Sequence, residues 1–120
     1  MKRIVVGGQM GKSEIENDLK ELTAGKAVEI TVKSDLDAAL AVKNEQADIY
    51  FGACETGAGG ALAMATALLG TQKAITVSSP TKVMSEEEIK KNIEDGKIAF
   101  GFTINTKNSV LPILVKYLFE

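Results

Sequence analysis

The sequence contains no histidine and no tryptophan, a single cysteine, a single arginine and two prolines, and aromatic residues make up 5% of it. Without imidazole, histidine-based acid–base catalysis and most zinc or copper sites are excluded, which leaves Cys, Lys and carboxylates as the available chemistry. No metal and no cofactor is expected. One cysteine cannot close an internal disulfide, in keeping with a reducing, cytoplasmic setting. No apolar run approaches the roughly 20 residues that span a bilayer, and no apolar leader follows Met1-Lys2-Arg3. The expected protein is therefore cytoplasmic and not inserted in a membrane. A formal charge of −2 gives no basic field for nucleic acid.

What is present suits one domain, residues 1–120: 45% hydrophobic and 25% charged residues on a chain long enough for a real core. Arg3-Ile4-Val5-Val6 reads as a short apolar strand, followed by a turn, Gly7-Gly8-Gln9-Met10-Gly11-Lys12. Ser13 with Glu16 has capping-box spacing at the head of a helix carrying Ile15, Leu19 and Leu22, which Gly25 ends. Val28, Ile30 and Val32 alternate with polar residues as in an edge strand with one wet face. Ser34 or Asp35 caps a second helix with Leu36, Leu40 and Ala41. Ile49 to Ala53 is apolar enough to be covered on both faces, and Gly59 to Leu69 predicts an Ala-rich helix stopped at Gly70. Ala74–Val77 is a fourth strand with a polar exit, 78–82. Ser85 with Glu88 caps a charged helix ending at Asp95-Gly96, Ile98–Thr103 is a fifth strand, and Val110–Phe119 is a last helix with Pro112 in its first turn.

Strand and helix thus alternate five times. The fold class is α/β: a single three-layer α/β/α sandwich, Rossmann-like, on about five parallel strands with right-handed crossovers. Loops 7–13, 54–60, 78–82 and 103–109 all leave carboxyl ends of strands, where ligands bind in open parallel sheets.

Asp48–Gly60, DIYFGACETGAGG, is the segment around which the rest is organised. Cys54 stands where a buried strand gives way to glycines and a helix; a thiol at a helix N-terminus is favoured as a nucleophile or base. Cys54 is the candidate catalytic residue, with Thr56 as a second proton carrier or an N-cap. Gly57, Ala58, Gly59 and Gly60 let a ligand approach the backbone, with Glu55 beside them. Gly7, Gly8, Gly11 and Lys12 form a candidate anion turn, and Lys82 and Lys107 are further anion contacts by placement. The early turn is not a P-loop, because Val6 occupies the position of its first glycine, and Leu62 stands where a dinucleotide fingerprint needs its third.

Cys54-Glu55-Thr56-Gly57-Ala58-Gly59, after a third strand, resembles the C-x-T-G-x-G loop of the ribose-5-phosphate isomerase B family. That resemblance implies Cys54 as the base that moves a proton between adjacent sugar carbons, Thr56 as a relay, and amides near Gly57 and Gly59 as an oxyanion site. The histidines and arginines of those isomerases have no counterpart here beyond Arg3. Over nearly the whole chain, the opening strand and glycine turn, the GAC-x-TGAG corner and Gly96-Lys97-Ile98-Ala99-Phe100-Gly101 resemble the bacterial YhfU-type family of unknown function. The resemblance implies a small cytosolic protein encoded near membrane transport proteins and enzymes of carbohydrate or amino-compound metabolism.

The expected function is binding of a small anionic metabolite, a phosphorylated sugar or sugar acid, with isomerase-like proton transfer by Cys54. Two alternatives stand beside it. One is a carrier subunit phosphorylated on cysteine, as in the IIB components of sugar phosphotransferase systems, working with a membrane transport protein. The other is a non-catalytic assembly subunit, favoured if the C-terminal helix exposes its Leu and Phe side chains. A homo-oligomer is expected.

Overall fold

The computed structural model describes residues 2–54, 62–79 and 81–119. Five parallel strands form the central sheet: β1 (Lys2–Gly8), β2 (Val28–Val32), β3 (Ile49–Cys54), β4 (Ala74–Thr76) and, late in the chain, β7 (Ala99–Thr103). Their spatial order is β2-β1-β3-β7-β4. Helices α1 (Lys12–Leu22), α2 (Asp35–Lys43), α3 (Ala63–Leu69), α4 (Glu86–Glu94) and α5 (Lys107–Leu118) alternate with them. The α/β sandwich expected from alternation is the observed architecture.

Strand order decides which face each helix covers. The chain steps one way from β1 to β2, the other way from β2 to β3 and on to β4, and then back to β7. Right-handed crossovers therefore place α2 and α3 on one face and α1 and α4 on the other, where α5 joins them. The two faces are built from different side chains. Against α1, α4 and α5 the sheet turns Ile4, Val6, Ile49, Phe51, Phe100 and Phe102; against α2 and α3 it turns Val5, Tyr50 and Ala99, met by Ala38, Ala39, Ala41 and Ala65. Small side chains bring the second pair of helices close, and Phe51 and Phe100, with ring centroids 5.9 Å apart, fill the wider layer.

Several local expectations change. Gly7 and Gly8 continue β1 rather than opening a turn, and the residue that caps α1 is Gly11, in the left-handed region at φ 68°. Ser13 lies inside the first helical turn, so it forms no capping box with Glu16: the glycine reverses the chain two residues earlier. Ser34 caps α2, its hydroxyl accepting from the Asp37 amide. The inward face of α2 is Ala38, Ala39, Ala41 and Val42, while Leu36 is exposed, because the helix rests on Tyr50 and Gly7 with no room for leucine. The described part of the Ala-rich helix is Ala63–Leu69; residues 59–61 lie outside the described residues.

The polar exit 78–82 is not plain loop. Ser78–Ser79 (β5) pairs antiparallel with Lys82–Val83 (β6). The capping box of Ser85 and Glu88 forms as expected. Segment 103–109 is also more ordered than a loop, a 3-10 turn at Ile104–Thr106 running into α5 at Lys107. Helix α5 therefore begins three residues early and Pro112 is interior to it. The carbonyl that loses its donor there, that of Asn108, belongs to an exposed residue within reach of water. Val110, Leu111, Leu114 and Val115 are buried, and Ile113, Leu118 and Phe119 pack on the same core. The exposed apolar helix that would favour the assembly reading is thus not observed. At the opposite, amino edge, Asp48 precedes β3 and pairs with Arg3 at 3.2 Å, whose guanidinium holds the carboxyl below the usual range. Among the described residues, no helix is long and apolar enough to cross a membrane.

Candidate functional site at the end of the central strand

Parallel sheets open a crevice where neighbouring strands send their exits to opposite faces. Strand β3 meets that condition on both sides. Its exit leads to α3, whereas β1 and β7, its two neighbours, lead to α1 and α5 on the far face. Cys54 is the last residue of β3 and so occupies a double switch point. It is buried, 3% exposed.

The register sets Cys54 opposite Thr103 and Ala53 opposite Gly8. Alternation from Tyr50 and Ala99 turns Cys54 and Thr103 to the α2–α3 face. Thr103 belongs to a buried hydroxyl cluster. The Thr103 amide donates to Ser78 Oγ at 3.1 Å, and Ser78 Oγ and Thr106 Oγ1 lie 2.7 Å apart. Thr106 Oγ1 donates to the Thr103 carbonyl at 2.8 Å and lies 3.2 Å from Thr103 Oγ1. With that proton assigned, Thr106 can accept from both other hydroxyls, and the cluster is satisfied. Of the four buried polar or charged residues among those described, three, Ser78, Thr103 and Thr106, gather here, the fourth being Thr23. This polar shelf beside the thiol escapes sequence reading because its members come from β5, β7 and the 3-10 turn; the one available sign was a threonine closing an otherwise apolar strand.

The glycine turn after β1 is held against β3. Gln9 and Met10 amides both donate to the Ala53 carbonyl, at 3.0 and 3.3 Å. The Gly8 amide donates to Asp35 Oδ1 at 3.3 Å, and the Tyr50 hydroxyl donates to the same oxygen at 2.5 Å. Burial, then the Asp35 carboxylate, push the Tyr50 hydroxyl well above its ordinary pKa. These glycines serve close packing. A Cβ on Gly7 would meet the Tyr50 ring and Ala38 at 2.7 Å, one on Gly8 the backbone of Ala53 at 2.6 Å, and one on Gly11 the side chain of Ile104 at 2.3 Å. The amides of Gly8, Gln9 and Met10 are thus engaged within the protein, and Asp35, which accepts from Gly8 and from the Tyr50 hydroxyl, is the second contribution that sequence reading missed.

The lysines are dispersed. Lys12 Nζ donates to the Lys33 carbonyl at 3.0 Å, toward the end of β2. Lys107 Nζ pairs with Asp18 at 2.5 Å beside a cleft of about 150 Å³ between α1 and α5. Exposed Lys82 borders a cleft of about 240 Å³ with Thr76, Ser78, Ser79, Met84 and Glu88, on the outer side of the hydroxyl cluster. Glu55, Thr56, Gly57, Ala58, Gly59 and Gly60 lie outside the described residues. The exposed large apolar side chains among the described residues are Met10, Val32, Leu36, Met64 and Val83.

Comparison with known proteins gives a family and no reaction. The family described as "Protein of unknown function DUF2620" matches residues 2–118. "Uncharacterized protein YhfU" of Escherichia coli strain K12 is 38% identical over 118 residues, covering 98% of this chain and 99% of the relative. The proteins of that description from Escherichia coli O6:H1 and Shigella flexneri match to the same extent. No solved structure matches the chain.

Proposed function

Because this chain belongs to the family of unknown function DUF2620, whose description names no chemistry, we propose its function from the corner itself: binding of a small anionic metabolite, a phosphorylated sugar or sugar acid, above the end of β3, with Cys54 as the proton-transfer group. The observation that carries the reading is the seat of the sole cysteine at a double switch point, beside hydroxyls that are buried and fully partnered. A fixed polar shelf of that kind positions a neighbouring group without reorganising. In the proposed reaction the Cys54 thiolate takes the proton from the carbon next to a sugar carbonyl, leaving an enediolate. The hydroxyl proton on that carbon passes to the former carbonyl oxygen, the relay role proposed for Thr56, and the thiol, its proton exchanged with solvent, protonates the former carbonyl carbon, so that the carbonyl is moved by one position. The amides near Gly57 and Gly59, as the isomerase resemblance implies, are the proposed donors to the enediolate oxygen.

A thermal-shift panel of phosphorylated and carboxylated sugars, run with iodoacetamide labelling of Cys54, tests the proposal. A true ligand at about 100 times its dissociation constant adds roughly 2.7 kcal/mol of stability, about 10 °C for a chain of this size, and slows labelling. Deuterium from solvent then enters the sugar carbon beside the carbonyl with the native protein and not with Cys54→Ala. A panel with no shift and no protection of Cys54 refutes binding; binding without deuterium exchange refutes the proton transfer alone.

A further inference from the structure

Strand β2 closes one side of the sheet, and no described strand pairs with its outer edge. Its ladder with β1 uses the Ala27 carbonyl and the Lys33 amide, so by alternation Glu29, Thr31 and Lys33 point their peptide groups inward, while Ile30 and Val32 present N–H and C=O outward. Neither flanking helix covers the strand fully. A groove of about 290 Å³ runs along it on the α1 side, lined by Val28, Ile30, Thr23 and Lys26. Another, of about 210 Å³, follows the α2 side, lined by Glu29, Thr31, Lys33 and Gln46. Val32 is 40% exposed, although Val28 and Ile30 on the same face pack against the core.

An uncovered edge invites another strand unless charge forbids it. Here the charges are arranged to select a copy of the same strand. Glu29 and Lys33 lie two residues on either side of Thr31, on one face. A two-fold axis at Thr31 therefore sets Glu29 opposite Lys33 of the second copy, twice, and Thr31 opposite Thr31. The same axis sets Ile30 opposite Val32, the two residues with outward peptide groups, so that they exchange both N–H···O bonds. We propose that β2 is a homodimer edge: two copies pair antiparallel about Thr31, joining their sheets into one of ten strands. The contact covers Val32 with Ile30 of the second copy on one face and forms opposite-charge and Thr–Thr cross-strand pairs on the other. A shift of register that centres the axis on Ile30 would face Glu29 with Thr31 and leave Lys33 without an acid opposite, which selects the Thr31 register.

Sedimentation equilibrium across micromolar to millimolar protein tests the assignment. The native chain is expected to be dimeric. Val32→Pro removes an outward N–H and leaves the β1 ladder intact, and it weakens the dimer roughly tenfold or more. Glu29→Lys and Lys33→Glu each place like charges opposite one another twice and weaken it by about the same factor. Mixing those two single variants restores complementary pairs at both positions and brings back the dimer, an outcome that misfolding of either variant cannot produce. A native chain monomeric throughout, whether its edge is bare or occupied by another protein, overturns the proposal. So does a dimer indifferent to Val32→Pro and to charge reversal.

Discussion

Gly8→Ala tests most directly whether β1 is pressed against β3 beside Cys54. Gly8 has φ +79°, and a Cβ built there would lie 2.6 Å from the Ala53 nitrogen, 2.8 Å from Gly52 Cα and 2.9 Å from the Ala53 carbonyl oxygen, all backbone atoms of the central strand. Gly25 has nearly the same dihedral, φ +83°, with nothing within 4 Å, and so supplies the control. The left-handed conformation costs an L-residue about 1–2 kcal/mol, offset by about 0.4–1 kcal/mol because alanine restricts the unfolded chain. Gly25→Ala should therefore lose about 1 kcal/mol. At Gly8 the steric cost adds to this. Strand β3 has neighbours on both sides and cannot yield, so overpacking of about 1–3 kcal/mol is expected, for a total near 3 kcal/mol. At about 4 °C per kcal/mol the melting temperature falls by about 12 °C, against about 4 °C for the control. Urea unfolding followed by circular dichroism reads both, with an unchanged slope confirming the same extent of unfolding. If the two variants differ by less than about 0.5 kcal/mol, β1 does not press on β3 there, and the account of how the Cys54 corner is closed fails.

Two further substitutions test other parts of the structure. Tyr50 keeps its proton in the folded protein well beyond the pH at which an unfolded tyrosine ionises, because of burial and Asp35. Its raised pKa means that the folded state binds more protons above about pH 10, so stability falls with rising pH at about 1.4 kcal/mol per unit from this group. Tyr50→Phe should cost about 1 kcal/mol at pH 7 for the lost hydrogen bond yet show a shallower alkaline limb, the two curves crossing near pH 11; parallel limbs refute the assignment. Ser85→Ala removes the hydroxyl that accepts from the Glu88 amide and donates to the Glu88 carboxylate at the head of α4, and keeps the Ser85 amide. It should lower stability by about 1 kcal/mol without changing the fold, and a neutral result in urea unfolding would mean that the cap is not formed in solution.

Much of this protein was legible in the order of its residues. Alternation of apolar runs with amphipathic segments is local information, and it carried the α/β class, the edge character of β2, the double-sided burial of β3 and the capping box at Ser85. Helix boundaries drifted where a glycine or a 3-10 turn competed with a side-chain cap, as at Gly11 and before Lys107. Cys54 could be singled out from its own neighbours along the chain, since a cysteine between a buried strand and a glycine run is a one-dimensional pattern.

The company Cys54 keeps depended on strand order, which no local pattern encodes. Inserting β7 between β3 and β4 sets Thr103 beside Cys54 and brings Ser78 and Thr106 to Thr103. Laying α2 over the β1–β3 pair carries Asp35 to Tyr50 and to the Gly8 amide. These contacts join residues tens of positions apart, and they form because right-handed crossovers and the burial of both sheet faces admit few ways to stack five βα units. The place of Cys54 at the end of a buried strand was therefore written in the chain, while the polar shelf and the glycine contacts that surround it came into being only when the sheet was assembled.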